Sequence, residues 1–176
     1  MIYVLTVPAK TVLAKPTKRA PKPRKRIART SRPVRGKRPA RQRKTTVAAL
    51  KRQLWTLFAA YVKERDGRTC ISCGTEGLDG GNRHAGHLVS RRVSSTLFAP
   101  DNVHVQCGPC NIWKRGNAAA YTLAYLDKYG EDKFRSLMAR SRDLQHWTAP
   151  QLRELIDAIK KSGADYELLY AEKYGV

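Results

Sequence analysis

Two Cys-x-x-Cys pairs, Cys70-Ile-Ser-Cys73 and Cys107-Gly-Pro-Cys110, bracket a segment that holds His84, His87, Asn102 and His104, and Asn111 follows the second pair directly. Four thiolates match the tetrahedral preference of one structural Zn2+ ion. The 33 residues between Cys73 and Cys107 are enough for a whole hairpin, so zinc would staple the two ends of an inserted unit. No cysteine is left over. In a reducing compartment such pairs bind metal more often than they form disulfides. A rival reading comes from Cys107-Gly-Pro-Cys110, which matches the thioredoxin active-site tetrapeptide. That chemistry wants a preceding Trp after a buried strand, whereas Gln106 stands there and a second pair is at hand to complete a metal site.

The histidines and asparagines suit a second, catalytic centre. An imidazole can act as general base towards water near neutral pH. A neighbouring nitrogen or oxygen lone pair helps hold a divalent cation, which polarises a phosphate. His87 is the leading candidate for the base, and Asn111 can supply an oxygen ligand. His104 joins the catalytic candidates, with a supporting structural role equally open. Arg91, Arg92, Lys114 and Arg115 could neutralise phosphates, or form no more than a solvated basic face. Asn117 is a further DNA-contact candidate, while Tyr121 reads as packing.

Local signals name the elements that must position these groups. Val47, Leu50, Leu54, Leu57, Phe58 and Tyr61 recur at helical spacing, which predicts an amphipathic helix over 46–65 stopped by Asp66-Gly67. Gly74 permits the tight turn of a zinc knuckle. Strands are expected over 84–90 and 102–106, joined by a link ending in Pro100-Asp101-Asn102. Alternation places Asn102, His104 and Gln106 on one face. A helix follows from Asn111 or Asn117 to Lys128 with Gly130 as its cap, then another over 131–142. Thr148-Ala-Pro-Gln151 is a capping box opening a helix to about Lys161, and a last helix spans 164–173. The fold class is α+β, with flanking helices around the hairpin.

Charge divides the chain unevenly. Of its 35 Lys and Arg, nineteen lie in residues 1–63, where there is no Asp or Glu, so the remainder is close to neutral. Residues 1–45, rich in Lys, Arg and Pro, are expected to be a disordered arm that binds DNA. Residues 46–147 would form the zinc-containing domain and 148–176 a helical extension. No signal peptide or membrane-length apolar run is evident, so a cytoplasmic location and no membrane partner are expected. No heptad or exposed apolar stripe marks a dimer, although symmetric cutting of a four-way junction would favour a homodimer.

The string Cys-x-x-Cys-Gly, Ala-Gly-His, Asn-x-His-x-Gln-Cys-x-x-Cys-Asn, Gly-Asn-x-x-x-Tyr-x-x-x-x-Leu resembles the phage lambda NinG (Rap) recombination endonuclease family, over about residues 52–147. That family is an offshoot of the HNH, or ββα-metal, nucleases. The resemblance implies an HNH-like core, with His87 as the base that activates water and Asn102 bracing the loop between the strands. It implies Asn111 as a metal ligand in the place of the last His. His84 stands where relatives tend to carry Asp, which makes it the second ligand for a catalytic Mg2+ or Mn2+, and an imidazole there favours softer ions. Gly86 occupies the place of the acid that many HNH enzymes carry before the base. The extra N-terminal cysteines of relatives are absent, and the basic arm would serve as the DNA tether instead. The implied activity is cleavage of branched DNA in recombination. Two alternatives stand beside it: a general HNH nicking enzyme, and a zinc module that binds DNA without cutting it.

Overall fold

The computed structural model describes residues 45–175, so the expected arm at 1–45 lies almost wholly outside the described residues. Helix α1 (Val47–Asp66) opens on Thr46, whose hydroxyl accepts from the Ala49 amide, and ends at Gly67 with φ +72°. It buries Leu50, Leu54, Phe58 and Val62, one side chain per turn on a single stripe.

Strands β1 (Arg83–His87) and β2 (Val103–Cys107) form an antiparallel hairpin in which His84 faces Gln106, Gly86 faces His104 and His87 faces Val103. β1 is shorter than the sequence pattern suggests, and β2 keeps the expected length but starts one residue later. β1 ends at His87, and Asn102 sits in a single 3-10 turn, Pro100–Asn102. The polar face of β2 is not solvated: all five of its residues are buried, because helices cover both sides. The helix expected from Asn111 or Asn117 is divided between those two starts. A π-helical turn, Pro109–Trp113, comes first, and α2 (Ala118–Tyr129) begins after Asn117, which adopts a left-handed conformation.

Helix α3 (Glu131–Arg140) packs with α2, and α4 (Ala149–Lys161) and α5 (Gly163–Tyr174) complete the fold. The capping box at α4 is present in full, with Thr148 and Gln151 bonding reciprocally. α4 and α5 bury Leu152, Leu155, Ile156, Tyr166 and Tyr170 in one core with α1, Phe98, Val103 and Trp147. The segments expected as domain and extension thus share a hydrophobic core.

The hairpin is clasped to α1 by charge as well as by packing. Arg65 pairs with Asp66 and donates to the carbonyls of Pro100 and Val103, at 2.9 and 2.8 Å. Asp66 in turn accepts from the Val105 amide at 3.0 Å. Among the described residues, no helix is long and apolar enough to cross a membrane.

Candidate functional site

The two Cys-x-x-Cys turns meet in space. The four sulfurs of Cys70, Cys73, Cys107 and Cys110 lie within 4.8 Å of one another, and Cys73 and Cys107 are 3.7 Å apart. A tetrahedral ion with zinc–sulfur bonds of about 2.3 Å needs sulfurs about 3.8 Å apart, so the cluster could hold a structural metal ion such as zinc. Gly74, at φ +71°, makes the first turn, and its amide bonds to the Cys70 carbonyl at 2.9 Å. The Thr75 hydroxyl, 3.1 Å from Cys73 Sγ, pulls that thiol down to about 6. Burial pushes Cys70, Cys107 and Cys110 up, and a bound cation would reverse that shift. Asn117 donates its amide to Cys110 Sγ at 3.3 Å, so this DNA-contact candidate is engaged with the metal cluster.

A cleft of about 510 Å³ opens beside this centre, and among its walls are Trp55, His87, Arg91, Asn111, Arg115 and Gly116. His87 is half-buried at the end of β1, with its ring stacked on Trp55 at a centroid distance of 5.0 Å and 18° between planes. Its Nε2 lies 3.0 Å from the Leu97 carbonyl. A carbonyl only accepts, so Nε2 carries the proton and Nδ1 keeps the free lone pair in the neutral ring. Burial, opposed by the Leu97 bond and helped by the charge of Arg91, lowers its pKa below the ordinary value. An imidazole in this state can take up a proton at Nδ1 near neutral pH.

The Leu97 carbonyl belongs to a row. From Ser94 to Phe98 each consecutive carbonyl accepts a side-chain donor: Ser94 from Trp147 Nε1, Ser95 from Tyr170, Thr96 from Asn102, Leu97 from His87, and Phe98 from Tyr166. This stretch has no ladder or helix of its own, so side chains satisfy its backbone. Asn102 is wholly buried and uses its amide three times. Its Oδ1 accepts from the Val89 amide at 2.7 Å, and its Nδ2 donates to the carbonyls of Val89 and Thr96 at 3.1 and 2.9 Å. Asn102 therefore closes the loop between the strands and fixes the oxygen row that orients His87.

Behind the cleft, on the hairpin face it shares with its partner His84, Gln106 is completely buried. Its Nε2 donates to Ser72 Oγ and to the Gly116 carbonyl, at 2.6 and 2.7 Å, which fixes the amide orientation. Its Oε1 is then left without a partner. That oxygen lies over Gly86: a Cβ there would collide with it and come within 3.0 Å of Asn111 Oδ1. Glycine at position 86 thus makes room for two amide oxygens where a side chain would otherwise emerge.

The other candidates are placed less centrally. His84 does not line the cleft; alternation puts it on the strand face opposite His87, and its Nε2 is buried without a partner. His104 lies outside the cleft too. It is buried against Tyr121, Tyr125 and Tyr129, and burial pulls it down to about 3. Its Nδ1 is 2.8 Å from the Tyr121 hydroxyl, which donates to the Gly86 carbonyl at 3.2 Å. Arg91 and Arg115 line the cleft; Arg92 and Lys114 are exposed beside them in sequence.

Two participants escaped the sequence reading. Trp55 sits at the edge of the apolar stripe of α1, an off-stripe aromatic that hinted at a second surface. Gln106 was visible only as a polar residue on a strand.

A family model described as "Bacteriophage Lambda NinG protein" matches residues 6–167. Protein ninG of Escherichia phage 933W is 31% identical over 98 residues, which cover 54% of this chain and 47% of that protein. Protein ninG of Escherichia phage lambda is 30% identical over 98 residues with the same coverage, and that of Salmonella phage P22 is 37% identical over 73 residues, 40% of this chain and 35% of its own length. The chain spans about half the length, or less, of these curated relatives. No solved structure matches.

Proposed function

The chain belongs to the bacteriophage lambda NinG family, and on that premise we propose that it is a metal-dependent DNA endonuclease acting on branched recombination intermediates. The observation that carries the reading is His87, a neutral imidazole with Nε2 tied to the Leu97 carbonyl and Nδ1 free, in a cleft shared with Asn111, Arg91 and Arg115. In this mechanism His87 Nδ1 takes a proton from the attacking water. Arg91 and Arg115 hold the DNA backbone through its phosphates.

Asn111 Oδ1, which faces the cleft, would hold a divalent cation such as Mg2+ or Mn2+, with Gln106 Oε1, beside it at Gly86, as the nearest further amide oxygen. The unpartnered, buried Gln106 oxygen supports that assignment. Bound there, the cation supplies charge stabilisation at the scissile phosphate. Both ligands are neutral, so the phosphate itself must complete the site, as is common for Mg2+. The cysteine-bound ion is structural and takes no part in the chemistry. Asn102 and His104 act as positioning residues, the first through the loop and the second through Tyr121 and the Gly86 carbonyl.

The test is cleavage of an end-labelled four-way junction and its matched linear duplex, in magnesium or manganese, by the wild-type chain and His87→Ala. The expected result is junction cutting that disappears in the variant while binding persists. Equal cutting of both substrates would leave a general nicking enzyme. Binding without cutting in either metal would overturn the nuclease reading in favour of a DNA-binding zinc module.

A further inference from the structure

Trp113 is 82% exposed and its neighbour Ile112 56%. The other two tryptophans are used inside the fold: Trp147 is buried, and Trp55 stacks on His87. Large apolar side chains displayed together in a folded domain mark a binding surface. This one is held firmly. The π-helical turn that carries Trp113 contains Cys110 of the metal cluster, and the Lys114 amide closes it on the Pro109 carbonyl at 2.9 Å. Past Arg115, at φ +52°, the Gly116 amide bonds back to the Cys110 carbonyl, and the Gly116 carbonyl is gripped by Gln106. π-helical turns of this kind are frequent at functional sites.

The surroundings identify the partner. Trp113 stands on the turn between Asn111 and Arg115, both of which line the cleft. Lys114 and Arg115 follow it directly and are exposed. From Gly80 to Leu126 the chain carries Arg83, Arg91, Arg92, Lys114 and Arg115 against Asp101 alone, and Asp101 is paired with Arg140. A flat, exposed aromatic group followed directly by two exposed cations fits a nucleobase between phosphates better than it fits an apolar protein surface. A base inside an intact duplex is covered by its neighbours; one at a branch point presents its face.

We propose that Trp113 is a stacking platform for an unpaired or splayed base beside the scissile phosphate, with Ile112 wedged next to it and Lys114 and Arg115 on the flanking phosphates. This inference deepens the DNA-cleavage reading by naming the feature of branched DNA that the chain reads. It rests on DNA entering the same cleft, though not on the chemistry there.

The test measures binding rather than cutting. The zinc-loaded chain, without magnesium or manganese, is titrated against a four-way junction carrying 2-aminopurine at the branch and against the matched duplex. Wild type should bind the junction more tightly and quench the branch fluorophore. Trp113→Ala should lose on the order of tenfold to a hundredfold in junction affinity and the quenching with it, leaving duplex affinity unchanged, while Trp113→Phe keeps most of both. Unchanged thermal stability and zinc content are expected for an exposed residue and would exclude misfolding. Junction binding and quenching by Trp113→Ala equal to wild type would overturn the proposal, as would equal losses on junction and duplex. Cleavage by wild type is scored separately in magnesium or manganese, so failure of the nuclease reading would show as absent cleavage with junction binding and quenching intact.

Discussion

The two walls of the hairpin treat hydrogen bonding in opposite ways. On the His87 wall the loop carbonyls from Ser94 to Phe98 each have a side-chain donor, and Asn102 uses its amide three times. On the opposite face, the buried Gln106 oxygen has no partner, although the nitrogen of the same amide makes two bonds. Buried polar groups are nearly always paired, so an exception needs a reason. The contrast teaches a division of labour. In the proposed mechanism the base has its tautomer and direction settled before substrate arrives, whereas the cation site keeps acceptors in reserve.

Substitutions on each wall should therefore fail differently. His87→Ala removes the reacting group from a settled frame: cleavage should fall by about 10²- to 10⁴-fold in single-turnover assays, with a stability loss of about 1–2 kcal/mol from the stranded Leu97 carbonyl. Asn102→Ala attacks the frame itself. It strands the Val89 amide and the Val89 and Thr96 carbonyls, so chemical denaturation should show a loss of about 3–5 kcal/mol, with activity falling alongside. A stable Asn102→Ala with full activity would end the comparison.

On the reserve wall, Gly86→Ala pushes a methyl group into Gln106 Oε1. It should cost about 1–3 kcal/mol and weaken Mn2+ binding to the chain–DNA complex, read by electron paramagnetic resonance on an uncleaved substrate. Unaltered Mn2+ binding would remove Gln106 from the ligand set. Tyr166→Phe, which strands only the Phe98 carbonyl, should cost about 1–2 kcal/mol and slow cleavage a few-fold without touching cation affinity.

A further check comes from pH. His87 and His104 are both held below the ordinary histidine value by burial, so the unfolded chain binds protons near pH 6.5 that the folded chain refuses. Stability from this source is complete above about pH 6.5 and declines as the pH falls below it. Cleavage should be nearly flat from pH 7 to 8 and drop only below the lowered His87 value. A pH–rate profile with its acid limb above 6.5 would contradict a buried neutral base.

How much of this was legible depended on distance along the chain. The knuckles, the Thr148 capping box and the Gly67 stop are short-range patterns, and they stand where spacing put them. The His87 frame is not short-range. Trp147, Tyr166 and Tyr170 reach back 53, 68 and 75 residues to a loop with no periodicity of its own. His84 and His87 are close in sequence, but three strand positions put the two rings on opposite faces, with His84 on the face of its partner Gln106. Gln106 could not be recognised as an acceptor in reserve until the Gly116 carbonyl was seen to claim its nitrogen.

The reach of those tyrosines also sets a clock. A ribosome releases Ser94 to Phe98 well before it has made Tyr166 and Tyr170, and domains are built from the N-terminal side during synthesis. Until those last donors emerge, the strap that aims His87 is incomplete. The nascent chain can thus gather its cysteines and close its hairpin while the His87 loop is still open, so the proposed active site would be complete only with the final helix.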